Sequence, residues 1–332
     1  MHTPTLLIML TVLLGIMTLG LFVAWRFNQW IPGFNKWVLA YVFAFLSSLG
    51  LSLGSSWLTD IQLTFSSNFF ITLMSFYVFV GAREFMGRAD LPRWLLPLIL
   101  LVLTVNVIFF TSVEYQPGLR VVTPSLIAGL MFIMAAWTVA SGGGKTFPAR
   151  YVFAAACGFH GFFVIGRLWF VYAGNSLALS TANISGIPSI VLMESTIFLV
   201  LVAFGNMMLV NERINSELRY VAERDSLTGV LNRRSFLSED EDVLGRIGGE
   251  EFAAVLPEAT LDDTKQIAER LRLEVSEKMS KTEENPVGLT VSIGVARRIH
   301  GESSEMLMHR ADQAMYLAKS TGRNRVEAYL LT

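Results

Sequence analysis

Charged side chains are almost missing from the first two thirds of this chain, and that absence restricts its fold more than any motif does. Residues 1–210 hold 9 Lys and Arg and 5 Asp and Glu, whereas residues 211–332 hold 17 and 22. A water-soluble domain of this length spreads charge over its whole surface, so the first part has a different solvent. Seven apolar stretches, 5–26, 37–58, 64–86, 94–112, 119–140, 149–173 and 187–210, are each long enough to cross a bilayer, which takes about 20 residues. Gly, Pro and charge mark the breaks, as at Ile31-Pro32-Gly33 and from Arg88 to Arg93. The first stretch lacks a basic leader and a small-residue cleavage site, so it reads as a retained helix. The single Cys157 can form no intrachain disulfide.

Loop charge sets the expected orientation. Arg26, Lys36, Arg83, Arg88, Arg93, Lys145 and Arg150 fall on one side, and Arg120, Asp60 and Glu114 on the other. The positive-inside rule then places the N-terminus outside and everything after Leu209 in the cytoplasm. Trp30, Trp37, Trp57, Trp94 and Trp169 stand near span ends as interfacial anchors. Asn68, Asn106, His160, Arg167 and Glu194 are the informative polar residues inside the spans, with Asn68, Asn106, Arg167 and Glu194 in the outer half. His160 and Arg167 are seven apart and share a helix face. Two readings stay open for them. One is an architectural Arg167–Glu194 ion pair, with His160 bonded to a neighbouring helix. The other is a pocket for a small polar or amphipathic ligand entering from outside or from the bilayer.

Span seven continues without a breaker into residues 211–224, where Val210, Ile214, Leu218 and Val221 form one apolar stripe. The stripe predicts a coupling helix that pairs between two protomers as a short coiled coil, or else lies on its own domain. Next comes Asp225-Ser226-Leu227-Thr228-Gly229-Val230-Leu231-Asn232-Arg233-Arg234. A strand, the turn Gly248-Gly249-Glu250-Glu251-Phe252, and a second strand to Pro257 follow. Thr260 caps a helix to about Met279, residues 288–296 alternate as a strand, and residues 311–324 form a helix and turn. Adjacent glycines admit phosphate close to the backbone, and a carboxylate beside them can hold a hard cation. The bland alternative for Glu250 and Glu251 is a solvated acidic turn.

Four motifs in this order over residues 225–329 resemble the diguanylate cyclase (GGDEF) family. The resemblance implies an α/β, nucleotide-cyclase-like domain over 225–332, behind a seven-helix membrane bundle (1–210) and a signalling helix (211–224). It implies that Gly248 and Gly249 hug nucleotide phosphates. Glu250 is then the catalytic, metal-binding carboxylate and Glu251 its companion acid, with Lys319 and Arg323 on the terminal phosphates. It further implies GTP as substrate, Mg²⁺ or Mn²⁺ as cofactor, a homodimer, cyclic di-GMP and pyrophosphate as products, and a bacterial inner-membrane location.

One interval departs from the family. Only 13 residues separate Arg234 from Gly248, where the family holds a helix, a central strand with its other metal-binding Asp, and the guanine-reading Asn and Asp. The domain is therefore expected to lack its central strand region, with Ser238-Glu239-Asp240-Glu241 as the junction. With Glu239 in place of Arg ahead of Asp242, a product-inhibition site is not expected. Three functions follow: a membrane sensor with a cyclase output, a sensor whose output domain is inactive and serves as an interaction module, or a transporter with an appended regulatory tail, which the lack of an obvious internal repeat disfavours. Gly142-Gly143-Gly144-Lys145-Thr146 lacks the context of a phosphate-binding loop, and no basic face suggests nucleic acid.

Overall fold

The computed structural model describes residues 3–53, 58–114, 116, 119–142, 148–172, 189–237, 243–279 and 288–330. Trp57, Lys145, residues 143–146 and the junction at 238–242 lie outside the described residues. The chain divides into two units, Met1–Asn215 and Ser216–Thr332.

Long runs of Leu, Ile, Val and Phe satisfy their backbone groups internally by folding as helices. The first unit contains α1 (Thr3–Phe27), α2 (Phe34–Leu53), α3 (Asp60–Phe85) and α4 (Leu95–Ile108). A π-helical turn at Phe109–Val113 ends α4, where the Glu114 N–H donates to the Phe109 carbonyl at 3.0 Å. Then come α5 (Val122–Ala140), α6 (Ala149–Tyr172) and α7 (Ser189–Glu223). Pro97 and Pro124 fall in the first turns of α4 and α5, where a missing N–H costs no helical bond. Thr59 caps α3 with a reciprocal bond from Gln62. Among the described residues, seven helices are long and apolar enough to cross a membrane.

Small residues let these helices approach closely. A Cβ on Gly129 would meet the Gly161 carbonyl at 2.9 Å, so α5 and α6 touch backbone to backbone. A Cβ on Gly205 would lie 3.1 Å from the Phe153 Cα, which brings α7 onto α6. Trp37 is fully buried against Gly81, and its indole N–H donates to the Val78 carbonyl at 3.3 Å. The Thr11 hydroxyl pairs with Ser48 at 2.6 Å and Ser52 at 2.9 Å, joining α1 to α2.

The predicted stripe on α7 divides. Val210 is buried and Ile214 packs on the core, whereas Leu218 and Val221 stand exposed. Only the last two are left for another partner.

The second unit contains β1 (Leu231–Asn232), α8 (Arg233–Phe236), β2 (Val243–Arg246), β3 (Phe252–Val255), α9 (Leu261–Lys278), β4 (Ile293–Val295), α10 (Ser304–Ser320) and β5 (Val326–Ala328). β2 pairs parallel with β1 and antiparallel with β3, and β4 pairs parallel with β5. Among the described residues these make two separate sheets. Thr260 and Asp263 form a capping box at the start of α9. The alternating segment 288–296 is a strand only at Ile293–Val295. Strand formation needs a neighbour to accept its ladder bonds, and β5 offers one over just three residues.

Candidate functional site

The turn at residues 247–251 is closed by its own backbone. The Ile247 and Gly248 N–H groups both donate to the Glu251 carbonyl, at 2.9 and 3.3 Å. Gly249 faces open space, with nothing within 4 Å of where a Cβ would sit. Arg246, at the end of β2, braces this turn from behind. Its Nη2 donates to the Gly249 carbonyl at 2.6 Å and its Nη1 to Asp225 Oδ1 at 2.8 Å. Asp225 also accepts from the Thr228 hydroxyl at 2.7 Å and the Thr228 N–H at 3.0 Å. The bond from the Thr228 hydroxyl, followed by that from Arg246, lowers the Asp225 carboxyl from its ordinary 3.8 to about 2. The guanidinium thus joins the opening motif to the signature turn.

Lys319, in the last turn of α10, lies 3.6 Å from Glu251 Oε1. The turn and the C-terminal motif therefore meet, with Glu251 rather than Glu250 at the contact. Arg323 follows where the chain leaves α10. It and Asn324 have positive φ values of 61° and 45°, and the Arg323 N–H closes the helix end on the Ala318 carbonyl at 2.9 Å. Arg272 on α9 anchors this turn by donating to Asn324 Oδ1 at 2.9 Å. Glu250 and Arg323 are exposed. Among the described residues neither side chain has an ion-pair partner.

The divalent ion implied by the resemblance does not fit these residues. Among the described residues Glu250 has only the neighbouring Glu251 beside it, and Glu251 faces Lys319 at 3.6 Å. Among the described residues no group of three or more His, Cys, Asp or Glu could hold a metal ion. Magnesium relies on one or two carboxylates in near-octahedral geometry together with phosphate oxygens.

In the first unit the five polar candidates on the apolar helices do not form one site. Glu194 pairs with His160 rather than Arg167: Glu194 Oε1 lies 2.8 Å from His160 Nδ1. Arg167 instead donates to the Ser125 hydroxyl on α5 at 3.1 Å. His160 and Arg167 share a face, so the register between α6 and α7 decides which of them meets the carboxylate. Asn106 donates to the Thr123 hydroxyl at 2.9 Å, tying α4 to α5. Asn68 is buried on α3. His160 is clamped between rings, stacked on Phe198 at 3.7 Å and edge-on to Phe132 at 5.0 Å. A cleft of about 740 Å³ lies between α6 and α7 beside this pair. Sequence reasoning missed Asn206, fully buried on α7 with neither side-chain polar atom hydrogen-bonded. A polar residue within an apolar span was the available signal.

The family model described as diguanylate cyclase, GGDEF domain, matches residues 235–325. Diguanylate cyclase DgcP of Pseudomonas aeruginosa is 33% identical over 116 residues, covering 35% of this chain and 17% of that protein. Diguanylate cyclase VdcA of Vibrio cholerae is 36% identical over 103 residues, covering 30% of each. The chain thus spans less than a third of the length of these relatives. The GGDEF domain of DgcB from Caulobacter crescentus, solved in complex with c-di-GMP, is 28% identical. It covers 33% of this chain and 94% of that one, with a TM-score of 0.31. On the family model and these sequence relatives, the C-terminal unit carries a GGDEF domain over residues 235–325.

Proposed function

We propose that this is an integral membrane signalling protein. A seven-span bundle (1–210), N-terminus outside, would drive a GGDEF output domain (225–332) through the coupling helix (211–224). The observation that carries this reading is α7. One uninterrupted helix, Ser189–Glu223, begins among apolar spans and ends two residues before Asp225 of the opening motif. Large apolar side chains such as Ile8, Val12, Ile16, Leu101, Val105 and Phe162 stand exposed on these helices, which lipid tolerates and water does not. A bacterial inner membrane would place GTP on the side where the GGDEF unit emerges. Exposed Leu218 and Val221 support pairing of two protomers through α7.

The family's reaction joins two GTP molecules into cyclic di-GMP with release of two pyrophosphates. In this chain Gly248, Gly249, Lys319 and Arg323 supply a phosphate-binding rim, and Glu250 projects from the turn as an unshared acid. With no second metal-binding carboxylate among the described residues and no guanine-reading Asn-Asp string in the sequence, the unit binds and relays but does not complete cyclisation. The full chain in detergent or nanodiscs, supplied with GTP and Mg²⁺ or Mn²⁺, is expected to form no more cyclic di-GMP than its Glu250→Ala variant. Product formation abolished by that substitution would instead make this chain a working cyclase.

A further inference from the structure

The cleft between α6 and α7 has one chemical feature that its apolar walls do not explain. Val152, Phe159 and Phe163 of α6 face Ile197 and Leu201 of α7 across about 740 Å³, a volume suited to a small ligand. Among the described residues lining it, Glu194 is the only polar side chain. Its Oε1 is engaged by His160, while Oε2 is enclosed and has no hydrogen-bond partner. The stacked Phe198 and edge-on Phe132 fix the imidazole, so His160 cannot swing to serve both oxygens. The other cation on α6, Arg167, donates to Ser125, so its charge reaches Glu194 only through space and leaves Oε2 without a hydrogen bond.

We propose that this cleft binds a single-chain amphiphile with a primary amine head, the ammonium paired with Glu194 and the alkyl chain lying between α6 and α7. This rests on reading the helices as membrane spans. An unpaired carboxylate oxygen in hydrocarbon is costly, and a cation removes that cost. A neutral acyl chain leaves the oxygen unpaired, and a carboxylate-headed chain repels it. A second copy of the protein would bring the same apolar helix faces, whose Arg167 already donates to Ser125.

The test uses the full chain in phosphatidylcholine nanodiscs with two photoactivatable probes, a dodecyl chain carrying a diazirine and either an amine or a carboxylic acid head. Cross-links are mapped by peptide mass spectrometry. The amine probe is expected to label residues 152–163 and 190–201, to be competed by dodecylamine, and to exceed the acid probe about tenfold, the ratio of a single favourable charge contact. Glu194→Gln should erase that preference. Ala155→Trp, which fills the cleft and leaves the carboxylate intact, should reduce labelling by the amine. Equal, uncompeted labelling by both probes along all spans would mean ordinary boundary lipid and overturn the proposal. So would cysteine cross-linking between copies at Ile197 that excludes the amine. Extraction of the same protein with alkaline carbonate tests the membrane reading separately, since a bundle retained in the membrane can still fail to bind the amine.

Discussion

Arg246 is the residue on which the signature turn hangs, because one guanidinium holds both Asp225 and the Gly249 carbonyl. The folded pKa of Asp225 lies below its ordinary value, so its bonds contribute fully above 3.8 and are lost as pH falls toward about 2. Carbon-13 titration of the aspartate carboxyls in the full chain should find one midpoint near about 2. Arg246→Ala should move that midpoint up while leaving it below 3.8, since Thr228 makes the larger contribution. Amide exchange at Gly248 and Gly249 should accelerate in the same variant. In the bundle, Asn206 is buried with neither polar atom bonded. Exchanging it for an apolar residue of similar volume removes a desolvation cost, so Asn206→Leu is expected to stabilise the bundle by about 1 kcal/mol. Denaturant titration in bicelles measures this, and a loss of stability would point to a bound water or ligand at Asn206.

At the scale of elements, close helix contact rests on glycine. Gly205→Leu drives a side chain into the Phe153 backbone and should cost about 1–3 kcal/mol, read as a lower unfolding midpoint in detergent. On α7, Leu218→Asp with Val221→Asp should convert a dimer to a monomer in light scattering, with the bundle intact, because both side chains are exposed. The seven long apolar helices were legible in the sequence because hydropathy and breakers are local signals. The observed helices end within a few residues of the limits set by Ile31-Pro32-Gly33 and Arg88 to Arg93. The glycine turn and its meeting with Lys319 were legible through motif order. The His160–Glu194 pair was not, since it depends on the rotation and register of two helices, and Arg167 satisfied the same spacing argument. Nor was the shortening of β4, because alternation marks a strand while the partner that completes it lies far away in sequence.

For the whole molecule, the composition split at residue 210 has a direct physical consequence: the chain should remain in the membrane pellet after alkaline carbonate treatment. Cysteines placed at Arg88 and Arg150 should be labelled by an impermeant maleimide only after the cytoplasmic side is opened. Labelling from outside would invert the orientation and put the GGDEF unit where GTP is absent.

The contact between Gly205 and Phe153 gives α7 a fulcrum. By helical rise, Glu194 lies about 16 Å to one side of Gly205 and Asn215 about 15 Å to the other. α5 and α6, joined at Gly129 and Gly161, are the face on which it would turn. A wedge that parts Glu194 from α6 by one ångström would press the Asn215 end of a straight α7 toward the opposite side by nearly as much.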